Sequence, residues 1–592
     1  MMQATRIVIL SDVHVTPGNE CEARLKEAVK EINLTDADIV VMNGDLTNEG
    51  SDEQLSNVKS ILDGISHPLY VLPGNHETTW SQSATKTFID LWGNDRFATE
   101  VDSLVIVGIN CGPYMKMGDG HIKQEDLHWL KTTLDREVTH GKRVISFNHY
   151  PLKNDLDNYI DYIKVLEQYP VIIHVNGHYH KFERYLGGDI DCMMVRSLDR
   201  KHGDFGYTIM DVTADSVIFS NKQLGRDAVR VEAFAAKRNL TPIVSESQSG
   251  ITNPDGFEIT RIYVDSASIF TRLAIDSEAV YFGNSLGEAK AIDKHSGKVR
   301  WKLQTGASMF ARPVDAGNKL FIPSANKELL SVDKQSGDII HRSPSTGPYV
   351  ADGLYHNGAL YQGGYKKMEK WDVATGELLW RFDSIGNYCQ AAPAIHGNDI
   401  VFGAWDSYLY CIDNRTGRMR WKWNNGKNAN MLGPGNVVPV VTDDKVIIVA
   451  PDRYMTAVDR KTGRQLWRNK DFKYRESLGC SRDGSRVYAK TMDGELVAVD
   501  AASDTFRLLW KIDMELGYEH APCVIVERDG IVYAGSRRGI VTAVDPVRQL
   551  MLWSLPLGVS EVNGIDIDPT NGDIYLSLIE GTVWRIRNTS LH

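Results

Sequence analysis

A short turn motif recurs through the C-terminal half of the chain with a period near 40 residues. Seven aspartates begin it, spaced by 40, 39, 41, 46, 41 and 45 residues: Asp293, Asp333, Asp372, Asp413, Asp459, Asp500 and Asp545. In five repeats a glycine follows four residues later, which is typical of a tight turn that Asp caps and in which Gly supplies a positive φ. A tryptophan closes each unit except the second, which has His341. Repeats of this length with about four strands each predict a β-propeller.

The number of blades follows from the two ends of the repeat array. An eighth, degenerate unit ends at residues 583–587 and lacks its turn and last strand. The run 258–264, which precedes the first full repeat, would supply that strand and close the ring. We therefore predict eight blades, with seven as the nearest alternative.

The chain before the repeats alternates apolar runs with amphipathic stretches. The predicted strands are residues 7–10, 39–42, 69–72, 104–109, 144–147 and 171–175, and the predicted helices are 20–32, 54–64 and 124–138. Continuous apolar strands bounded by helices predict an α/β fold whose sheet is covered on both faces. Residues 225–256, with a polar Ser- and Pro-containing core, are interpreted as a linker. The expected domains are thus 1–224, the linker 225–256, and the propeller 257–592.

Composition places the chain among multidomain globular proteins. It has 592 residues, 42% of them hydrophobic and 24% charged, with a net charge of −11. The seven cysteines are scattered and lack a Cys-x-x-Cys pair, which predicts reduced thiols. No apolar run approaches the ~18 residues that would span a bilayer. We expect a cytoplasmic protein without a membrane partner; nothing indicates a nucleic-acid surface, although an acidic chain can carry a local basic patch.

Five short motifs follow the predicted strands in the N-terminal region. They are Asp12-Val13-His14, Gly44-Asp45, Gly74-Asn75-His76, Asn148-His149 and Gly177-His178-Tyr179-His180. Ligands of α/β sheets bind at the carboxyl ends of strands, which is where these motifs fall. Carboxylate and imidazole groups suit Mn, Fe or Zn. The set supplies enough ligands for two neighbouring ions, and two-metal sites hydrolyse phosphate esters.

In residues and order, the five motifs resemble those of the calcineurin-like metallophosphoesterase superfamily. The resemblance covers about residues 5–222, and Gly44-Asp45-Leu46-Thr47 and Pro73-Gly74-Asn75-His76 look most like the bacterial cyclic-nucleotide phosphodiesterase branch. It implies an αββα sandwich that holds two divalent or trivalent ions of Mn, Fe or Zn. The implied ligands are Asp12, His14, Asp45 and His180 for one ion, and Asp45, Asn75, His149 and His178 for the other.

The resemblance also implies catalytic roles. Asp45 would bridge the ions, a hydroxide shared by them would attack phosphorus, and Asn75 would help to neutralise the phosphate oxygens. His76 would protonate the leaving oxygen. Glu77 departs from the Asp of many relatives, and we expect the longer side chain to alter the orientation of His76.

Several residues outside the motifs invite interpretation. We expect His174 in the core and His121, His128 and His140 at the surface; His202, Tyr114 and Tyr150 are further candidates to line the cleft. The repeated tryptophans are expected to pack blade against blade. The repeats resemble the pyrroloquinoline-quinone-type propellers, but the chain lacks the adjacent-cysteine pair of the redox members, so no quinone is predicted.

The sequence thus predicts a binuclear metallophosphoesterase fused to a propeller. A phosphodiester substrate is favoured, with a cyclic nucleotide suggested by the branch resemblance. One alternative is a phosphomonoesterase that acts on a small metabolite or a phosphoprotein. The other is a non-catalytic propeller scaffold with a metal-stabilised binding domain. The propeller is expected to recruit a protein partner or the substrate, or to mediate self-association.

Overall fold

The computed structural model describes residues 4–139, 141–198, 204–236, 252–426 and 432–591. The chain forms two compact units, one of residues 1–115 and 119–248 and the other of residues 116–118 and 249–592. Among the described residues, no helix is both long and apolar enough to cross a membrane.

The first unit alternates strands and helices. Its elements are β1 (Thr5–Leu10), α1 (Glu20–Ile32), β2 (Ile39–Asn43), α2 (Asp52–Leu62), β3 (Leu69–Leu72), α3 (Asn75–Thr78), α4 (Lys86–Trp92), β4 (Arg96–Val101), β5 (Leu104–Ile109), α5 (Gln124–Glu137), β6 (Arg143–Phe147), α6 (Tyr159–Leu166), β7 (Val171–Asn176), β8 (Glu183–Gly187), β9 (Ile190–Met194), β10 (Gly206–Val212), β11 (Ser216–Gln223) and β12 (Val229–Ala235). The nine elements predicted from the sequence lie here with ends that differ by at most two residues.

These strands build two six-stranded sheets, ordered β12-β11-β10-β1-β2-β3 and β4-β5-β6-β7-β9-β8. Strand β1 runs parallel to β2, and β2 to β3, in the first sheet; β5, β6 and β7 are parallel in the second. Ile7 and Ile9 of β1 pack in one apolar cluster with Ile145 of β6, so this cluster lies between the sheets.

Helices cover the outer faces of both sheets. Val8 of β1 packs with Leu25 of α1 and Leu55 of α2, because successive strand residues point to opposite faces. On the second sheet, Val105 of β5 packs with Leu130 of α5 and Tyr162 of α6. The unit is therefore the predicted αββα sandwich.

Strand β12 lies inside the segment that we interpreted as a linker. It pairs antiparallel with β11, from Ser216 opposite Ala235 to Asn221 opposite Val229. The first sheet thus extends beyond residue 224, because the alternating apolar side chains of this segment suit a sheet edge. Residues 237–251 of the same segment lie outside the described residues.

The second unit consists of β-strands. They are β13 (Phe257–Val264), β14 (Ala274–Ile275), β15 (Ala279–Gly283), β16 (Glu288–Asp293), β17 (Val299–Gln304), β18 (Val314–Ala316), β19 (Lys319–Ser324), β20 (Glu328–Asp333), β21 (Ile339–Pro344), β22 (Leu354–His356), β23 (Ala359–Gly364), β24 (Lys367–Asp372), β25 (Leu378–Phe382), β26 (Ala394–His396), β27 (Asp399–Gly403), β28 (Tyr408–Asp413), β29 (Met419–Asn424), β30 (Val440–Val441), β31 (Lys445–Val449), β32 (Met455–Asp459), β33 (Gln465–Asn469), β34 (Tyr474–Cys480), β35 (Arg486–Thr491), β36 (Glu495–Asp500), β37 (Leu508–Asp513), β38 (Ile525–Arg528), β39 (Ile531–Gly535), β40 (Ile540–Asp545), β41 (Leu550–Pro556), β42 (Val562–Ile567), β43 (Ile574–Leu578) and β44 (Thr582–Asn588). A short 3₁₀ turn, Thr589–Leu591, follows.

The described strands form eight antiparallel units of four. Six are separate four-stranded sheets, and the two units β34–β37 and β38–β41 join through a short parallel contact of β34 with β38. The last unit is closed by β13, which pairs antiparallel with β44 from Phe257 opposite Asn588 to Val264 opposite Thr582. The predicted eight-bladed propeller and its closure by the run before the first repeat are both confirmed.

The repeated tryptophans join neighbouring blades. The indole nitrogen of Trp301 donates to the main-chain oxygen of Lys334 at 3.0 Å, and Trp421 donates likewise to Arg460 at 2.8 Å. A Cβ added to Gly337 would lie 2.7 Å from the Trp301 ring. Glycine at this position therefore leaves room for the ring and also adopts the φ of +77° that the turn requires. The turn glycine and the tryptophan of successive repeats therefore form one packing unit.

Candidate metal centre

The predicted ligands follow the carboxyl ends of five strands, three in one sheet and two in the other. Asp12 comes two residues after β1, Asp45 two after β2 and Asn75 three after β3. His149 follows β6, and His178 and His180 follow β7. Because β1, β2 and β3 are mutually parallel, as are β6 and β7, the ligands of each sheet emerge at one edge.

The backbone is strained at the ligands themselves. Asp12, His14, Asp45, His178 and His180 all have positive φ values, between 47° and 78°. Non-glycine residues rarely adopt this conformation, which costs of the order of 1 kcal/mol or more each and concentrates at functional sites. The strain directs several polar side chains towards one point.

Two glycines beside the ligands permit the close approach. A Cβ on Gly74 would lie 2.2 Å from Oδ1 of Asp45, and a Cβ on Gly44 would lie 2.4 Å from Nδ1 of His149. A side chain at either position would push the motif loops apart.

One cluster of buried side chains contains Asp12, His14, Asp45 and His180, whose ligand atoms lie within 4.8 Å of one another. The Nε2 atoms of His14 and His180 are 3.1 Å apart, and that of His180 is 3.3 Å from Oδ1 of Asp12. Carboxylate oxygens and imidazole nitrogens that converge in this way suit a divalent cation.

The second cluster shares Asp45 with the first. It contains Asp45, His149 and His178 within the same 4.8 Å limit. Oδ1 of Asn75 lies 3.1 Å from Nδ1 of His178, so the amide belongs to this cluster too. All seven predicted ligands are thus brought together, with Asp45 common to both groups.

His149 provides a test of whether the clusters suit a metal. Its Nδ1 lies 2.8 Å from the main-chain oxygen of Asn43, which can only accept, so Nδ1 carries the proton. Nε2 is buried without a hydrogen-bond partner among the described residues and faces Oδ2 of Asp45 at 3.2 Å. Although burial lowers the pKa of His149, the carboxylates of Asp45 and Asp12 raise it to about 10. The site therefore favours positive charge beside the buried Nε2, and a bound metal ion would supply that charge in place of a proton.

Two other imidazoles are neutral near neutral pH. Burial lowers the pKa of His14 to about 4 and that of His178 to about 4. Neutral imidazole is the form that ligates metals. The side chains present therefore fit the metal ions that the motifs imply.

His76, the predicted general acid, lies beside the first cluster. Nδ1 of His76 contacts the main-chain oxygen of Asn48 at 2.6 Å, and Nε2 lies 3.8 Å from Oδ2 of Asp45. A quarter of the side chain is exposed, unlike the ligands around it. His76 can therefore meet a substrate from the solvent side of the cluster.

The Glu77 carboxylate binds Gly74 and Thr47, and the expected effect of its longer side chain on the orientation of His76 stays a prediction. The buried carboxylate accepts hydrogen bonds from the main-chain nitrogens of Gly74 and Thr47 and from the Thr47 hydroxyl. These bonds tie the loop after β3 to the loop after β2. The His76 ring itself is oriented by the contact of its Nδ1 with the main-chain oxygen of Asn48.

The structure adds a residue that the motifs missed and places the other candidates. Oγ of Ser11 donates to Oδ2 of Asp12 at 2.6 Å; its position beside Asp12 was the only sequence signal. Tyr150 is buried and stacks on His178, with ring centroids 3.9 Å apart. Tyr114 is buried as well. His202 and His140 lie outside the described residues.

The remaining histidine predictions have mixed outcomes. His174 is a buried core residue, as predicted, with contacts to Ser146 and Asn148. His128 is exposed, as predicted. His121 is buried and its Nδ1 lies 2.8 Å from Oδ1 of Asp157, so its predicted surface position is wrong. A buried carboxylate partner compensates the burial of the polar ring.

Comparison with known protein families assigns both units. The model described as "Calcineurin-like phosphoesterase" matches residues 5–182, and the model described as "Outer membrane protein assembly factor BamB" matches residues 251–361 and 366–590. The phosphoesterase model thus matches much of the first unit, and the assembly-factor model matches most of the second.

Individual relatives cover one unit or the other. A protein named "Probable cyclic nucleotide phosphodiesterase" from Vesicomyosocius okutanii is 23% identical over 188 residues, 31% of this chain and 76% of that protein. "Outer membrane protein assembly factor BamB" of Shewanella oneidensis is 24% identical over 157 residues, 24% of this chain. The match spans 39% of that relative's length. The crystal structure of BamB from Moraxella catarrhalis aligns with a TM-score of 0.47 and 15% identity, over 56% of this chain and 100% of that one.

Proposed function

We propose that this chain, which belongs to the family described as outer membrane protein assembly factor BamB, is a binuclear metal-dependent phosphodiesterase. The proposed activity is that of its calcineurin-like phosphoesterase domain. The observation that carries this proposal is the pair of ligand clusters that share Asp45, whose members are buried except for the half-buried His178. One ion would be held by Asp12, His14, Asp45 and His180, and the other by Asp45, Asn75, His149 and His178. Two such ions, when bound, lower the pKa of a coordinated water and neutralise charge on the phosphate.

The side chains around the clusters supply the remaining chemistry. The Asn75 amide nitrogen donates to a phosphate oxygen while its Oδ1 faces the second cluster. His76 donates a proton from Nε2 to the leaving alcohol oxygen, since its Nδ1 is engaged by Asn48. Asp45 stays ionised, because the neighbouring histidines hold its pKa well below the usual value despite its burial.

A diester is preferred over a monoester because of the name of one relative. The relative from Vesicomyosocius okutanii, of which the match covers 76%, is named as a cyclic nucleotide phosphodiesterase.

Turnover of bis-p-nitrophenyl phosphate and p-nitrophenyl phosphate, with added Mn²⁺, tests this function. Wild type is expected to favour the diester and to bind two metal ions per chain. Asp45→Asn removes the shared carboxylate charge and is expected to lose turnover while the chain stays folded. Asp63→Asn, the same change at an exposed helix end, is the matched control. A folded wild type that holds two metals but hydrolyses neither ester would contradict the proposal and favour a scaffold.

We also propose that the propeller binds a protein partner. Its family is described by a role in protein assembly, and apolar side chains remain exposed on its blade strands, among them Ile340, Leu379 and Met419. Light scattering of the full chain tests self-association, the alternative in which the partner is a second copy. A dimer that Leu379→Glu dissociates would identify the partner as this chain itself.

A further inference from the structure

A cavity of about 470 Å³ opens beside the ligand His180 within the first unit. It is lined by His180, Lys181, Phe182, Glu183, Arg196, Ser197, Asp204 and Asn221. None of these residues except His180 belongs to the metal motifs. His180 lines the cavity and also belongs to the first ligand cluster, so the cavity adjoins that cluster.

Hydrogen bonds to neighbouring residues fix the orientation of the planar Arg196 guanidinium. Nη2 donates to Oδ1 and the main-chain oxygen of Asp204 at 2.9 and 3.2 Å, and Nη1 donates to Oδ2 at 3.4 Å. Nε donates to the main-chain oxygen of Ser197 at 3.4 Å. The side chain is only 13% exposed. Each of its three nitrogens is already engaged, so Arg196 is a poor ligand for a second phosphate.

One face of the same guanidinium is covered by main chain. A Cβ built on Gly206 would lie 2.9 Å from Cζ of Arg196 and 3.0 Å from Nη1. Cζ is the central atom of the planar group. Because the added Cβ would lie nearer to Cζ than to Nη1, Gly206 lies over one face of the guanidinium and not at its edge. Arg196 also lines the cavity, and a guanidinium face stacks on flat aromatic groups.

The charge of the cavity also excludes a second anion. Lys181 and Arg196 are balanced by Glu183 and Asp204, so the lining carries no surplus positive charge. The ring of Phe182 is anchored against Phe219, with centroids 6.3 Å apart. Asn221 offers an amide, whose Oδ1 lies 3.4 Å from the Thr208 hydroxyl. These groups suit a flat, uncharged ligand with polar edges.

We propose that this cavity binds the nucleobase of a nucleotide phosphodiester, with the base stacked on Arg196. The inference rests on the proposed function and narrows its substrate class to nucleoside esters. The phosphate would lie at the metal clusters, and the Asn221 amide would face the polar edge of the base.

Binding of two single-phosphate ligands to the Mn²⁺-loaded full chain tests the proposal by calorimetry. Adenosine 5′-monophosphate carries a base and methyl phosphate does not. Wild type is expected to bind the nucleotide at least about tenfold more tightly than methyl phosphate, the size of one stacking interaction. In Arg196→Lys, which keeps the charge but loses the plane, this ratio is expected to fall about tenfold. Arg184→Lys, an exposed arginine paired with Asp191 outside the cavity lining, is the matched control and is expected to keep the ratio.

Methyl phosphate binding by each variant reports whether the metal site is intact, so a misfolded variant is recognised. A wild-type ratio near one, or an unchanged ratio in Arg196→Lys, would overturn the assignment of the cavity. Turnover decides the proposed function separately. A chain that binds the nucleotide through Arg196 but hydrolyses no diester retains the cavity assignment and loses the proposed function. If wild type hydrolyses diesters but Arg196→Lys keeps the wild-type ratio of nucleotide to methyl phosphate affinity, the proposed function is retained and the cavity assignment is lost.

Discussion

Nε2 of His149 lies 3.2 Å from Oδ2 of Asp45, across the boundary between the two sheets of the sandwich. His149 follows a strand of the second sheet, and Asp45 follows a strand of the first. The contact is buried at both ends. It ties the metal chemistry to the packing of the two sheets against each other.

Replacement of His149 by alanine is expected to remove one of the two metal ions and to lower kcat by at least about 100-fold. Loss of groups that merely support a metal ligand already costs ~10–100-fold, so loss of a ligand costs at least the upper end. Metal analysis of the purified chain together with turnover of bis-p-nitrophenyl phosphate checks both effects. His356→Ala, at an exposed histidine of the propeller, should leave both unchanged. Retention of two ions in His149→Ala would contradict the ligand assignment.

The role of His76 predicts a dependence on the leaving group. In His76→Ala, hydrolysis of a diester with an alcohol leaving group, such as 3′,5′-cyclic AMP, is expected to fall by ~10²–10⁴-fold. Hydrolysis of bis-p-nitrophenyl phosphate should fall far less, since p-nitrophenolate leaves without a proton. Comparison of kcat for the two substrates in wild type and variant is the measurement. Equal losses on both would show that His76 does not act on the leaving oxygen.

Closure of the propeller by β13 predicts an unequal effect of two substitutions in one strand. Ile259 is buried and lies opposite Ile586 of β44, whereas Val264 at the strand end is 57% exposed. Ile259→Ala is expected to destabilise the propeller by about 2–4 kcal/mol through the cavity it creates. Val264→Ala should cost well under about 1 kcal/mol. Scanning calorimetry of both variants checks the difference, and equal melting temperatures would argue against closure by this strand.

Lys367 gives the propeller an expected dependence on alkaline pH. Burial, with a smaller effect of Arg381, lowers the pKa of Lys367 from 10.5 to about 8, although Glu369 opposes the change. Between these values Lys367 is more protonated in the unfolded chain than in the folded one, so its contribution to stability rises with pH. The rise from pH 8 to 10.5 should be about 1–3 kcal/mol for this group.

The contribution of Lys367 is the difference between wild type and Lys367→Met. Urea unfolding of both proteins at several pH values across this interval measures it. Lys511→Met, at a lysine that is half exposed, controls for the general titration of lysines. If the free energies of unfolding of wild type and Lys367→Met rise in parallel with pH, Lys367 does not titrate in this range.

Local patterns in the sequence were enough for much of the fold. The runs 69–72 and 104–109 coincide with β3 and β5, because short apolar segments bounded by polar turns have few alternatives to a buried strand. The turn aspartates and tryptophans predicted the blades for a similar reason. Each repeat carries its own turn chemistry, and the run that became β13 was recognisable as the strand that the last repeat lacked.

The linker interpretation shows where local patterns were insufficient. The boundary at residue 224 was placed by polarity, yet Val229–Ala235 pairs with β11. This edge strand is largely exposed, and it precedes the polar core of the segment, so the surrounding pattern resembles that of a loop. Only the partner strand distinguishes the two.

In the candidate site, too, some features could be predicted from local patterns and others could not. The convergence of its proposed ligands could be predicted because Asp, Asn and His follow strand ends in a recognisable order, and strand direction brings such positions together. The groups that orient them could not be: Asn48 contacts His76 from 28 residues away, and Asn43 contacts His149 across 106 residues. These contacts use main-chain oxygens, which every residue possesses and no sequence pattern marks.

By itself, then, the sequence determined the two architectures and the set of side chains that we propose as metal ligands, since both depend on local periodicity and on residue type. The tertiary structure alone decided the tautomer of His149, the burial of His121 with Asp157, and the plane of Arg196 beside Asp204. Each of these depends on a distance between side chains or main-chain atoms that only the folded chain brings together. The cavity beside His180 belongs to this second class, and with it the proposed choice of substrate.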